Sequence, residues 1–344
     1  MRALVVAVVA GVVLAPAAGA DPPKPTDYRS VIDRVSPSTD AVDVDVVGGD
    51  SFLRVDVGRG HEVVVEGYQG EPYVRIQADG EVDRNTRSPA TYVNENRTGT
   101  NVDLPDDADP EADPRWERVA GGGSYAWHDH RIHWMNPGQP DVERGGVVQQ
   151  WTVGLTVDGR QTEVEGRLLW VDPVSPWPWV TLGLAVAAAL VVVGGRRSSR
   201  WAPLVAGPAT VVGAALALGV GAAQYTDAPA QGAANPLLVA VPAVGLAAGL
   251  AGVVLRRRAP TAATVAVLAA VAAVVGWGML RIDVLWKPVL PTGLAYGLDR
   301  AGTALALALA VAAAVLVLQG GGLALSRPPG AVELDEYEEK RETA

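Results

Sequence analysis

The chain has 344 residues, 49% of them hydrophobic, and carries 38 acidic against 28 basic side chains, a net charge of −10. It contains no cysteine, which excludes disulfides, thiolate metal sites and cysteine nucleophiles together. Residues 21–176 hold 29 acidic and 15 basic side chains, and a net charge near −14 repels phosphate backbones, so nucleic acid is excluded as a partner.

Residues 1–20 combine a basic start at Arg2, an apolar run to Leu14, a break at Pro16 and the small residues Ala18, Gly19 and Ala20. This is the layout of a secretory signal peptide cleaved before Asp21, with an uncleaved anchor helix as the rival. Either reading exports the segment that follows. Residues 21–176 are long enough to bury a core without disulfides. They read as an extracytoplasmic antiparallel β-sandwich, immunoglobulin-like or similar.

Four stretches alternate with period two: V-D-V-D-V-V, F-L-R-V-D-V, E-V-V-V-E-G-Y and Y-V-R-I-Q-A, separated by Gly48-Gly49, Gly58 to Gly60 and Gly70. Helical amphipathicity is confined to Tyr28–Val35. The acidic run P-D-D-A-D-P-E-A-D-P at 105–114 is a solvated loop without calcium-loop spacing. The strongest hairpin signal lies further on, where Trp151, Val153, Leu155 and Val157 alternate, Asp158-Gly159 turns, and Val164, Leu168 and Trp170 return.

Between these regions lies Y-A-W-H-D-H-R-I-H-W-M at 125–135, which holds three of the four histidines in the chain. On a strand, His128 and His130 project from one face, a bidentate start for copper or zinc, with His133 and Met135 as further ligands. The packing alternative has Trp127 and Trp134 covering a core while Asp129 pairs with Arg131. Glu71, Tyr73 and Arg75 alternate onto one strand face. Together with Trp127, Asp129, Arg131 and Trp134 they form a candidate recognition surface. Asn85, Arg87, Asn94 and Arg97 either line a polar groove or pin loops.

Five apolar runs follow Pro176, at about 178–195, 202–223, 236–255, 261–280 and 301–325, each near the ~20 residues that cross a bilayer and none holding an internal charge. Arg196, Arg197 and Arg200 follow the first run, and Arg256 to Arg258 follow the third. The connector from Gln224 to Asn235 has no basic residue, so the basic ends stay cytoplasmic and the acidic half faces outward. The 281–300 connector reads as an interfacial or re-entrant segment. Trp177, Trp179, Trp201, Trp277 and Trp286 read as interfacial anchors, and residues 326–344 as an acidic cytoplasmic tail. Gly245, Gly249 and the small-residue stretch Gly213 to Gly221 permit close helix packing.

Four segments, G-Y-Q-G-E-P-Y-V-R-I at 67–76, N-T-R-S-P-A-T-Y-V-N-E-N-R at 85–97, the histidine run, and W-T-V-G-L-T-V-D-G at 151–159, resemble an uncharacterised family of bacterial envelope proteins. The resemblance implies a signal peptide, an exported β domain and a C-terminal multi-span region, and no chemistry. A cupin-like reading of H-x-H lacks the following glutamate. Exported copper-resistance proteins differ in starting on a metal-binding histidine. No catalytic constellation is identifiable. The expected function is therefore a membrane-anchored binding or assembly module, with another envelope protein or a small ligand as partner. The alternative is copper or zinc handling, and the third reading is a metal-dependent envelope hydrolase.

Overall fold

The computed structural model describes residues 21–95, 97, 102–195, 202–229 and 233–319. The signal-peptide segment, Arg196, Arg197, Arg200, Trp201 and the acidic tail lie outside the described residues.

Ten antiparallel strands precede the apolar helices. The strands are β1 Tyr28–Ser36, β2 Val42–Val47, β3 Phe52–Val57, β4 Val63–Glu66, β5 Pro72–Ile76, β6 Val82–Asn85, β7 Trp116–Ala120, β8 Ser124–Trp127, β9 Val147–Val157 and β10 Arg160–Trp170. They form a seven-stranded sheet in the order β1-β10-β9-β4-β5-β6-β7 and a three-stranded sheet β2-β3-β8. Alternation explains the layering, because one face of each strand is apolar. Val44, Leu53, Val55 and Trp127 of the small sheet close on Val65, Val74, Val153 and Leu155 of the large one, and all are buried in a single core. The domain is thus a sandwich of unequal layers.

The β9–β10 hairpin forms as its pattern predicts. Asp158 takes φ +50° and Gly159 φ +77°, the left-handed pair that a two-residue turn needs. Where a helix was expected, Tyr28–Val35 is strand instead. Its β-branched Val31, Ile32 and Val35 pair with β10 across a bulge between Ile32 and Arg34. At this seam a Cβ on Gly166 would lie 2.4 Å from the Val31 carbonyl oxygen and 2.2 Å from the Trp151 ring. Gly166→Ala is therefore expected to cost at least about 1 kcal/mol, read as a lowered urea midpoint of the full chain. An unchanged midpoint would mean that the seam yields freely.

Helices α1 Trp177–Gly195, α2 Ala202–Asp227, α3 Leu237–Leu255, α4 Pro260–Arg281 and α5 Tyr296–Gln319 are all long and apolar enough to cross a membrane. Outward-facing Leu184, Val193, Val254 and Leu318 suit contact with lipid. The chain therefore has the make-up of a multi-pass membrane protein. Small residues do bring helices close: a Cβ on Gly245 would stand 3.2 Å from Ala273, and one on Gly249 would stand 3.2 Å from Thr210 and Val211.

Three expectations about the helices are corrected. α5 starts at Tyr296 rather than 301, so Asp299 and Arg300 are inside it, and with Arg281 at the end of α4 they contradict a charge-free bundle. Trp277 is fully buried and so is not an interfacial anchor, whereas Trp177 and Trp286 are exposed. The 281–300 connector is not re-entrant. After a 3-10 turn at Ile282–Leu285, Val289 forms an antiparallel bridge with Thr26, and Lys287 pairs with Asp27 at 2.7 Å.

Residues 220–229, 233–240 and 281–300 belong to the same compact unit as the β domain. Ala233 packs on Phe52 and Ala126, and the Gln224 side-chain amide donates to the Pro23 carbonyl at 3.3 Å. Both connectors expected on the exported side therefore fold with the β domain.

Candidate functional site

The histidine run leaves the strand earlier than its spacing suggests. β8 ends at Trp127, because the Asp129 carboxylate captures the Arg131 backbone N–H at 3.0 Å and the Asp129 carbonyl captures that of Ile132 at 3.1 Å, turning the chain. His128, His130 and His133 therefore lie on a loop and not on one strand face.

The His128 ring stacks on Phe52 at 4.0 Å, with Nδ1 at 2.6 Å from the Ser51 carbonyl oxygen and Nε2 at 3.0 Å from that of Asp21. A neutral imidazole donates only one N–H, so one of these two carbonyls receives a hydrogen bond from the ring at a time. Burial pushes His128 below the usual histidine range even though both carbonyls favour the charged form. His133 is likewise buried, with Nε2 at 2.7 Å from the Arg97 carbonyl oxygen. Burial, reinforced by the Arg97 guanidinium, pushes it down to about 3. The His130 ring stands 5.3 Å from that of His133, and Met135 is exposed on its own side of the loop. Among the described residues no group of three or more His, Asp or Glu is placed to hold a metal ion. The arrangement is that of histidine wedges tying Asp21, Ser51 and Arg97 together.

The expected recognition surface faces inward. Trp127, Asp129, Glu71 and Tyr73 are buried, and the polar atoms of Trp127, Asp129 and Glu71 are bonded within the fold. Trp127 Nε1–H donates to Asp129 at 2.9 Å, and Arg131 grips the same carboxylate through Nε at 2.8 Å and Nη2 at 2.7 Å. Burial alone would raise the Asp129 carboxyl, but these donors hold it below the usual carboxylate range. Ser88 donates to Glu71 at 2.7 Å. Arg75 lies over Trp116 and pairs with Asp83. Of the seven expected residues, Arg75, Arg131 and Trp134 are partly covered, and the Trp134 Nε1–H is spent on the Gly138 carbonyl at 2.6 Å.

Loop pinning also accounts for Asn85, Arg87, Asn94 and Arg97. Asn85 Oδ1 accepts the Arg87 and Arg115 N–H groups at 3.0 and 2.9 Å, and Asn94 meets the Tyr68 hydroxyl. Arg97 pairs with the buried Asp50 at 2.7 Å. Burial nevertheless outweighs that arginine and raises the Asp50 carboxyl.

The open concavity lies elsewhere. A polar cleft of about 420 Å³ is walled by β1, β2, β3 and the Gly48-Gly49 turn on one side and by Asp227, Val289, Thr292 and Tyr296 on the other. Close approach builds it, since a Cβ on Gly49, at φ +84°, would lie 2.4 Å from Val289. Arg54 in its wall is engaged by Asp45 at 2.7 Å and Asp56 at 3.1 Å. Arg29 is exposed, and the Asp227 carboxylate lies within electrostatic reach of Arg54 without a close ion pair to it. Ser30 Oγ is buried without a hydrogen-bond partner. Comparison with protein-family models, curated proteins and solved structures finds no match to the chain.

Sequence reasoning missed this cleft because its wall comes from four separated segments. A second feature unforeseen from sequence is the buried pair Arg281–Asp299 at 2.6 Å, with the other Arg281 amino group donating to the Gln224 side-chain Oε1. Arg300 donates to the Val284 and Lys287 carbonyls at 3.0 and 2.7 Å, holding the connector in shape.

Proposed function

We propose that the protein is an envelope binding module held by five membrane spans, with the β domain outside the cell membrane and the polar cleft as its ligand seat. The observation that carries this reading is the cleft itself. It is a concavity of about 420 Å³, in the size range of small-ligand sites, with charged residues of both signs along its wall. Binding rather than catalysis is inferred, because the histidines and the Asp129–Arg131 pair are consumed in folding the loop. Outward orientation is supported by Arg256, Arg257 and Arg258, which follow α3 at the end opposite the Gln224–Asn235 connector. Membership of the bacterial envelope family is proposed on the quoted motif segments.

The absence of native cysteine permits a direct test. Leu104→Cys, at a site 47% exposed on the β domain, is expected to react with a membrane-impermeant maleimide on intact cells. Labelling only in inside-out vesicles would reverse the orientation. Asp45→Cys, in the cleft wall, is expected to react slowly in native membranes and at least about tenfold faster after detergent stripping of bound small molecules. Equal rates before and after stripping would remove the ligand seat.

A further inference from the structure

We propose that the helical part carries a site of its own, separate from the cleft, for an anionic membrane phospholipid, with the phosphate on Arg256 and the start of an acyl chain in the cavity beside it. A cavity of about 110 Å³ lies among α2, α3, α4 and α5, and every residue lining it belongs to the helical unit. Small residues keep it open: Ala206, Gly207, Gly252 and Ala263 line it without side chains long enough to fill it. Arg256 is the charged residue among the described residues that line it. The local fold puts it there. α3 ends at Leu255, whose carbonyl accepts the Arg258 and Ala259 N–H groups at 3.0 and 2.8 Å, and Pro260 opens α4 directly afterwards.

The lining fixes the depth. It includes Ala202, the first residue of α2, Arg256, the residue after α3, Pro260, the first of α4, and Val317 in the last turn of α5. Four span ends therefore meet at one level. Val254 and Leu318, within two residues of the lining, are 74% and 67% exposed, and side chains so bare suit surrounding hydrocarbon. The cavity thus lies where acyl chains give way to head groups.

Charge decides the class of lipid. The sequence has no Asp or Glu between Pro178 and Gly219, between Val241 and Leu280, or between Ala301 and Gln319. Half-buried Arg256 and exposed Arg257 and Arg258 therefore find no carboxylate within the described part of their own unit. A phosphodiester of net charge −1 answers the Arg256 fork. A zwitterionic head group would also bring an ammonium to three guanidinium groups with no carboxylate to receive it. A soluble anion would leave the apolar cavity empty. Its volume approaches the ~150 Å³ of an engineered apolar cavity that takes benzene, so it accepts the first few methylenes of a chain.

The test uses the full chain in mild detergent, with native mass spectrometry after addition of dioleoyl phosphatidylglycerol, phosphatidylethanolamine or phosphatidylcholine, and separately of glycerol phosphate as a soluble competitor. Retention of phosphatidylglycerol is expected to exceed that of the other two lipids about tenfold. Arg256→Gln is expected to lower it about tenfold with the thermal midpoint unchanged, and Arg256→Lys to restore part of it. Arg257→Gln and Arg258→Gln, off the cavity, are expected to cost about twofold or less. Equal retention of the three lipids overturns the proposal, and so do equal losses from the three glutamine substitutions, which would leave only a diffuse basic surface. Displacement of phosphatidylglycerol by equimolar glycerol phosphate would show that the cavity holds no chain. Retention that arises only after removal of residues 326–344 would make the acidic tail the natural occupant and overturn the lipid.

Discussion

Asp299→Ala is expected to cost about 3–5 kcal/mol, because it strands the Arg281 guanidinium in a site where it is 2% exposed. The desolvation already incurred by that charge is then uncompensated. The pair sits at the root of the α4–α5 connector, where the Asp299 carboxylate also gains from the first turn of α5. Removing both charges together has a different outcome. Arg281→Met with Asp299→Leu is expected to fall within about 1 kcal/mol of the parent or above it, since apolar packing replaces an ion pair at little net loss. Unfolding of the full chain in a mixed-detergent titration measures both. A single-substitution loss below about 1 kcal/mol would show that water reaches the pair.

Acid is expected to destabilise the β domain through its wedged histidines. His133 is held neutral in the fold, at about 3, while an unfolded histidine titrates near 6.5. The folded pKa is the lower one, so the stabilisation is complete above pH 6.5 and is lost as pH falls toward 3. At pH 4.5 the loss from His133 alone comes to about 3 kcal/mol, the two units between 6.5 and 4.5 at ~1.4 kcal/mol each. His128, shifted in the same direction, adds to it. Urea midpoints of the full chain at pH 7.5 and 4.5 give the measurement. Carboxylates contribute as well, so the diagnostic is the difference between chains: in His133→Gln the pH-dependent loss is expected to shrink by that amount. An equal loss in both chains would mean that the His133 ring is already protonated or solvated in the fold.

The legible parts of the sequence are those governed by neighbours along the chain. Trp151 to Val157 and Val164 to Trp170 could be read because period-two burial and the Asp-Gly turn are both local, and the five spans because an apolar run needs no partner to be recognised. β1 was misread: Val31, Ile32 and Val35 satisfy a helical spacing as well as an extended one, and only pairing with β10 decides between them. β6 and β7, with V-D-R-N and W-E-R-V-A, are too polar to signal strands and owe their form to pairing at a sheet edge.

The histidine run failed as a strand because its ring partners, the carbonyls of Asp21, Ser51 and Arg97, are 36 to 107 residues away. The start of α5 was misplaced for the same reason. Asp299 looks like a charge that should end a span until Arg281, 18 residues earlier, is seen beside it.

The bridge between Thr26 and Val289, with Lys287 on Asp27, sets an order of assembly. Asp27 is translated 260 residues ahead of its lysine, so a chain made from its N-terminus completes the sandwich core while this margin is still bare. The seam closes only once the fourth helix has been threaded and its loop delivered. Completion of this margin is thereby tied to synthesis of nearly the whole apolar part, and a chain arrested before that point leaves the edge unfinished.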